Sequence, residues 1–241
     1  AAMSLDETAA GGHTAYFDAT LSLTCFLLID FSGTRPMTRF EGSAGSGKTT
    51  ASKLISALLY GEPQHKKATD AANYTDGSQN PLIVLDNIEV KQMTEDLTTF
   101  MLTSITGIAK EKRKSGTDSE TVTERTKCLL NTTGIEPLCG ELSEIQSRSF
   151  VINFDIGNQG NDCFIESDVI AALQRNRDLI ISALMKRTSE VLAMMKDGMR
   201  TQAMKLLHEA LGNHDKRRCN EYLSLMYLML LAGSSQDQIE Q

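Results

Sequence analysis

The chain has 241 residues, of which 41% are hydrophobic and 23% are charged. This balance excludes a disordered polar chain and is ordinary for a globular protein of one or two domains. The formal net charge is -7. Any contact with nucleic acid must therefore come from a local basic patch, because the field of the whole molecule repels phosphate.

The cysteines are odd in number, scattered and without a C-x-x-C pair, which excludes a disulfide scaffold. We expect free thiols in a reducing cytoplasm. Residues 1–13 are small and polar and are expected to form a disordered tail. The apolar stretches at 21–31 and 222–232 are too short to span a bilayer, so no membrane partner is expected. The cysteines are Cys25, Cys128, Cys139, Cys163 and Cys219.

A buried helix is predicted over 16–31, followed by a short strand over 37–41 and a helix over 51–60. The segment between strand and helix reads Gly-Ser-Ala-Gly-Ser-Gly-Lys-Thr and fits the phosphate-binding P-loop pattern at every constrained position. Its glycines let backbone N–H groups converge on an anion, Lys48 reaches the β- and γ-phosphates, and Thr49 holds Mg²⁺. The predicted ligands are ATP and Mg²⁺. The predicted nucleotide-binding residues are Gly42, Ser43, Ala44, Gly45, Ser46, Gly47, Lys48, Thr49 and Thr50.

Residues 61–80 are polar and predict a loop with one short strand near Ala68. The apolar run 82–85 then predicts a buried parallel strand that ends in Asp86, the expected Walker B aspartate and second magnesium residue. Asn87 follows, where many P-loop ATPases carry a glutamate. An amide orients water but cannot accept its proton, so Glu89 and Glu41 stay open as substitutes. Weak hydrolysis and a nucleotide-gated switch are both compatible with Asn87.

Apolar residues at helical spacing from Leu97 to Ile108 predict a helix, and the charged segment 110–125 predicts a hairpin. Residues 128–133 predict a further buried strand, between the P-loop strand and the Walker B strand. Its polar end offers a side chain to the γ-phosphate or the attacking water. We favour Asn131 as that residue, with Thr132 or Thr133 as alternatives.

A short helix over 141–146 and a strand over 150–154 are predicted next, with Arg148 between them. An arginine there can reach the nucleotide of a neighbouring subunit as a finger. One amphipathic helical stripe runs from Val169 to Met195, and two more helices are expected to follow. Arg175 and Arg177 in this region are candidates for a second γ-phosphate contact.

The order of P-loop, Walker B strand, polar strand end and Arg148 resembles the core of the AAA+ P-loop ATPases. The resemblance covers roughly residues 35–156. It implies an α/β fold with a parallel sheet flanked by helices over 14–156, and a helical C-terminal subdomain over 157–241. It also implies catalytic roles for Lys48, Asp86, Asn87, Asn131 and Arg148.

The stretch 103–154 looks like the corresponding part of superfamily-3 helicases and of virulence-associated-E and poxvirus-type primase-helicase ATPases. Those proteins place a basic β-hairpin just before the polar strand and grip DNA with it in the pore of a ring. The resemblance implies a ring, expected to be a hexamer, and DNA as partner. No primase or origin-binding domain is present, so further domains or partner proteins are expected. The hairpin cations are Lys110, Lys112, Arg113, Lys114 and Arg125.

These observations predict a Mg·ATP-dependent ATPase that couples hydrolysis to DNA translocation or remodelling. The alternative is a slowly hydrolysing, nucleotide-dependent switch or assembly scaffold. A small-molecule kinase on the same P-loop scaffold is a further rival. The polar strand end, Arg148 and the helical subdomain disfavour the kinase.

Overall fold

The computed structural model describes residues 35–64, 70–107, 109–113, 121–126, 128–137, 143–154, 165–211 and 228. These residues fall into two compact units, one within 30–56 and 63–156 and the other within 57–62 and 157–241. The first is an α/β unit and the second is helical. The predicted tail at 1–13 and helix at 16–31 lie outside the described residues, as do Cys25, Cys139, Cys163 and Cys219.

Among the described residues, the α/β unit is built on a sheet of four parallel strands, β1 Met37–Gly42, β2 Leu82–Leu85, β5 Leu129–Gly134 and β6 Ser149–Phe154. Their order in the sheet is β2-β5-β1-β6. Strand β2 consists of four buried aliphatic residues, as expected for a parallel strand that is covered on both faces. Strand β5 lies between the P-loop strand β1 and β2, which confirms the predicted position. The carboxyl ends of β1, β2 and β5 therefore meet at one edge of the sheet.

In the part of the chain that the structure describes, four helices accompany this sheet: α1 Lys48–Tyr60, α2 Asp70–Gln79, α3 Glu95–Thr106 and α4 Ser143–Gln146. The two ends of helix α3 are set by the residues that flank it in the sequence. Thr94 caps its start by accepting a hydrogen bond from the Leu97 amide at 3.1 Å, and Gly107 ends it in a left-handed conformation with φ 67°. Its buried residues recur at helical spacing: Leu97, Phe100, Met101, Ser104 and Ile105.

Helix α2 corrects the prediction of a loop over 61–80, while the short strand predicted near Ala68 lies outside the described residues. Its residues are poor helix formers, with Gly77 near the end. Tertiary packing overrides this propensity, since Tyr74 stacks edge-on against Phe100 at a centroid distance of 5.2 Å. A side chain at Gly77 would press against Phe100 and Cys128 at about the limit of contact, so glycine permits the close approach.

A two-stranded antiparallel hairpin, β3 Ala109–Arg113 and β4 Thr121–Arg125, confirms the predicted hairpin. Its register pairs Ala109 with Arg125 and Arg113 with Thr121. The predicted cation Lys114 lies outside the described residues.

The helical unit contains α5 Glu166–Arg175, α6 Arg177–Lys196 and α7 Met199–Leu211. The prediction of one continuous stripe from Val169 to Met195 was wrong, because the helix is interrupted at Asn176. There the backbone takes φ -105° and ψ 7°, and the Asn176 side chain donates to the carbonyl of Ala172 at 2.9 Å. Leu58 and Leu184 form a small core with Leu173, Ile180 and neighbouring aliphatic side chains. Of the described helices, none has the length and hydropathy needed to cross a membrane.

Candidate nucleotide site

The loop between β1 and α1 has a backbone that only glycine fits at its first position. A Cβ at Gly42 would collide with the carbonyl oxygen of Phe154 and lie 2.9 Å from the Ser46 hydroxyl. Gly45 and Gly47 take φ values of 81° and 92°, in the region that glycine adopts without strain. The pattern of small residues read from the sequence is therefore required by the fold of the loop.

Two polar side chains of this loop make no hydrogen bond to a described residue outside the loop. The Lys48 ammonium, 7% exposed, donates to the carbonyl of Ser43 across the loop at 2.9 Å. The hydroxyl of Ser46 is buried and has no hydrogen-bond partner among the described residues. A buried unsatisfied hydroxyl is costly, and an anion held by the loop would satisfy it. The loop residues therefore fit a phosphate group.

The residue that follows β2, Asp86, lies beside the start of α1. Its Oδ1 accepts two hydroxyl hydrogen bonds, from Thr49 at 2.9 Å and from Thr133 at 2.7 Å. Thr133 Oγ1 also accepts the backbone N–H of Asn87 at 2.8 Å. Hydroxyl and carboxylate oxygens suit Mg²⁺, so Thr49 and Asp86 fit the metal that accompanies a nucleotide. The carboxyl ends of β2 and β5 and the start of α1 thus meet at the Asp86 carboxylate.

The structure does not bring Asn131 to that carboxylate. Asn131 lies inside the sheet, 1% exposed, where its Oδ1 accepts from Ser52 at 2.5 Å. Its Nδ2 donates to Thr38 at 2.9 Å. Thr132 is also fully buried. Of the three residues considered for this strand end, Thr133 is the one in contact with Asp86.

Asn87 is exposed and has φ 57°, a left-handed conformation that asparagine tolerates better than most residues. The two glutamates considered as substitutes for a water-activating residue are both engaged. Glu41, 7% exposed, accepts from Arg39 at 2.8 Å. Glu89 accepts the backbone amides of Ile135 and Glu136 at 2.8 and 3.1 Å. Both carboxylates therefore support the structure in this conformation.

Arg148 is buried, and its guanidinium donates to Glu144 at 2.6 Å within the same chain. In the helical unit, Arg177 donates to the carbonyls of Leu58 and Leu59 at 2.7 and 2.9 Å, at the C-terminal end of α1. Arg177 thereby satisfies carbonyls that lack helical partners. Arg175 is exposed.

Sequence reasoning missed Arg39, the largest fully buried side chain of the described residues. A signal was present. Arg39 and Glu41 alternate along a strand that is otherwise buried, and residues two apart share one face. Two opposite charges at that spacing in a buried strand indicate an internal ion pair.

Cys128 is a free, buried thiol, 1% exposed. Burial raises the pKa of Cys128 to about 11. Its thiolate is therefore absent at neutral pH, and the residue behaves as a small apolar side chain.

No protein-family model matches the chain, and no curated protein matches its sequence. Solved structures do match. The structure of SCCmec type IV Cch, an active helicase, aligns with a TM-score of 0.58 and 16% identity over 95% of this chain and 46% of that one. The apo structure of the NrS-1 C-terminal region aligns at 0.44 and 11% identity, over 92% and 64% of the two chains. A JCV helicase structure aligns at 0.38 and 13% identity, over 77% and 66%.

The chain thus spans a little under half the length of the first of these structures. The likeness to the Cch helicase, together with the four-stranded parallel sheet, confirms the expected resemblance at the level of the fold. The chain has an α/β P-loop NTPase-like fold that it shares with a helicase.

Proposed function

We propose that this chain binds and hydrolyses Mg·ATP and uses the energy to move or remodel nucleic acid. The observation that carries the proposal is the convergence of Thr49 and Thr133 on Asp86 beside the P-loop. A partly buried carboxylate that accepts hydroxyl hydrogen bonds from a helix start and a neighbouring strand end is the arrangement that a metal–triphosphate site needs.

The residues have separate roles in the proposed reaction. The loop amides and the Ser46 hydroxyl hold the phosphates, and Lys48 exchanges the Ser43 carbonyl for a phosphate oxygen. Thr49 and Asp86 would hold Mg²⁺, and the bound metal would supply positive charge that neutralises the triphosphate. Thr133 fixes the Asp86 carboxylate and the backbone of Asn87, which is a supporting role and not the phosphate or water contact expected of the polar strand end. Asn87 orients the water that attacks the γ-phosphate.

DNA is the proposed nucleic acid, with the β3–β4 hairpin as its contact. The support is the hairpin itself and its cations Lys110, Lys112, Arg113 and Arg125. The described fold resembles that of a helicase, which fits this proposal. A ring would gather the cations that an acidic single chain lacks.

Assembly into a ring, with Arg148 completing the site of a neighbouring subunit, belongs to the same proposal. In the single chain Arg148 pairs with Glu144, which is more than half exposed. On assembly, Arg148 would have to leave this ion pair before it could reach a phosphate. Hydrolysis should therefore rise steeply with protein concentration.

The alternative of a slowly hydrolysing switch is favoured by a specific observation. Glu41 and Glu89 are both engaged in structural contacts, and Asn87 cannot accept a proton. The variant Asn87→Asp restores a carboxylate and tolerates φ 57°. Faster hydrolysis in that variant than in the wild type would favour the switch. A control is Asn87→Gly, which keeps the backbone but removes the side chain.

The test of the proposal is steady-state ATP hydrolysis with and without single-stranded DNA, across protein concentrations, with Lys48→Ala as control. DNA stimulation and a steep concentration dependence support the motor. Nucleotide binding with negligible turnover under all conditions would point to the switch. Arg113→Ala should abolish DNA binding while ATP binding is kept. Retained DNA affinity in this variant would contradict the proposed role of the hairpin.

A further inference from the structure

A buried arginine contacts the two loops that follow strands β2 and β5, next to Asp86 and Thr133. Arg39 extends from the P-loop strand β1 and is 0% exposed. Its Nε donates to Glu41 at 2.8 Å. Its terminal nitrogens donate to the carbonyl of Ile88 at 3.2 and 3.3 Å, and Nη2 also donates to the carbonyl of Glu136 at 2.7 Å.

Those two carbonyls belong to different loops. Ile88 follows β2 and Asp86, whereas Glu136 follows β5 and Thr133. One planar guanidinium therefore holds the loops at a fixed separation, which a lysine ammonium on a flexible stem cannot do in the same way. The Glu41 carboxylate neutralises the buried charge, because an unpaired buried cation is strongly disfavoured.

Further contacts join the same loops. Glu89 accepts the amides of Ile135 and Glu136, and the Ile88 amide donates to the carbonyl of Thr133 at 2.8 Å. Gly134 makes room for the arginine, since a Cβ there would collide with Arg39 Nη2 and lie 2.8 Å from the Ile88 carbonyl. Arg39 on the buried side and Glu89 on the solvent side thus hold the two loops together, and with them the position of Asp86 relative to Thr133.

We propose that Arg39, with Glu41 and Glu89, is a positioning residue for hydrolysis. It acts through the two loops and touches neither nucleotide nor metal. This inference rests on the proposed function and adds a residue that acts on catalytic rate rather than on nucleotide affinity. If the loops separate, the P-loop still holds the phosphates. The contacts of Thr133 with Asp86 and with the Asn87 amide, however, are lost.

The first test removes the ion pair as a unit. Arg39→Met/Glu41→Leu replaces both charges by apolar side chains, which avoids leaving one buried charge alone. We expect an unchanged KM for ATP and a kcat lower by about 10- to 100-fold, the loss that small misplacement of reacting groups produces. A variant that is folded, as judged by its melting temperature, with wild-type kcat would overturn the proposal.

Two single variants reach the same loops without removing Arg39. Glu89→Ala removes the outer contact at a partly exposed position, and Gly134→Ala displaces the guanidinium. Both should lower kcat with KM kept, so the proposal stays testable if the double variant fails to fold. A Glu89→Ala variant with wild-type kcat would also contradict it.

Hydrogen exchange separates failure of this inference from failure of the proposed function. The amides of Asn87, Ile88 and Ile135 should exchange faster in Glu89→Ala, while helix α3 stays protected. Faster exchange with unchanged kcat would reduce Arg39 and Glu89 to a purely structural role and overturn the inference. Wild-type protein that neither binds nor hydrolyses ATP would overturn the proposed function and the positioning role with it, whatever the exchange data show.

Discussion

The two units of this molecule use polar side chains in opposite ways. In the α/β unit, buried polar side chains from different elements meet one another, as Asn131, Ser52 and Thr38 do. In the described residues of the helical unit, the buried polar side chain is Thr188, whose hydroxyl returns to the Leu184 carbonyl of its own helix at 2.9 Å. Buried polar groups are costly, so their convergence marks the α/β unit as the place of the chemistry.

The largest expected effect tests this contrast at the P-loop. Lys48→Ala removes the cation that lies inside the loop and should lower ATP turnover by about 10²- to 10³-fold or more, because transition-state charge loses its partner. The matched control is Lys186→Ala, an exposed lysine of the helical unit, which should leave turnover unchanged. Equal turnover in the two variants would contradict the assignment of the proposed chemistry to the α/β unit.

A smaller effect is expected at Thr133. Thr133→Val keeps the shape but removes the hydroxyl that donates to Asp86 and accepts from the Asn87 amide. We expect the free energy of unfolding to fall by about 1–3 kcal/mol, since both groups lose a partner, and turnover to fall with it. Thr133→Ser keeps the hydroxyl and should restore most of both quantities. Denaturant titration and an ATPase assay measure them, and a valine variant as active as the serine variant would refute the role.

In the helical unit the expected effect is on stability alone. Arg177→Ala leaves the carbonyls of Leu58 and Leu59 without their side-chain donor and should cost about 1 kcal/mol of unfolding free energy. The exposed Arg175 supplies the control, and Arg175→Ala should change little. A raised KM for ATP in either variant would instead support the γ-phosphate contact considered from the sequence.

The smallest effect concerns Cys128, which sharpens the description of the α/β core. With a pKa of about 11 against 9.0 for the free thiol, the buried group keeps its proton at pH 8 and should resist alkylation in the native state. Because the folded pKa is the higher one, unfolding releases this proton and stability falls as pH rises from about 9 to 11. Mapping by mass spectrometry after brief alkylation checks this, and rapid modification of Cys128 would show an open core.

Much of the α/β unit could be predicted because the responsible patterns are local. A pattern of a few neighbouring residues is enough to indicate the glycine-rich loop, the buried run 82–85 and the hairpin. Helix α2 could not be predicted, since its weak propensity is overcome by packing of Tyr74 on Phe100. The break at Asn176 was likewise invisible in a stripe whose apolar spacing continues across it.

The residues of the proposed site were named from the sequence, with Asn131 favoured over Thr133 at the end of β5. Which of the two serves the nucleotide stays a prediction. The register of the sheet places Asp86 beside Thr133, because β2 pairs Leu85 with Thr132. The spacing of Arg39 and Glu41 could have indicated their ion pair, but the other partners of Arg39 are backbone carbonyls far away in the chain.

The most direct test of the central claim is a crystal structure of the chain with Mg²⁺ and a non-hydrolysable ATP analogue. The account predicts the triphosphate in the loop 42–49, the Lys48 ammonium moved from Ser43 to a phosphate oxygen, and the metal beside Thr49 and Asp86. A nucleotide bound elsewhere, or a metal remote from Asp86, would contradict it.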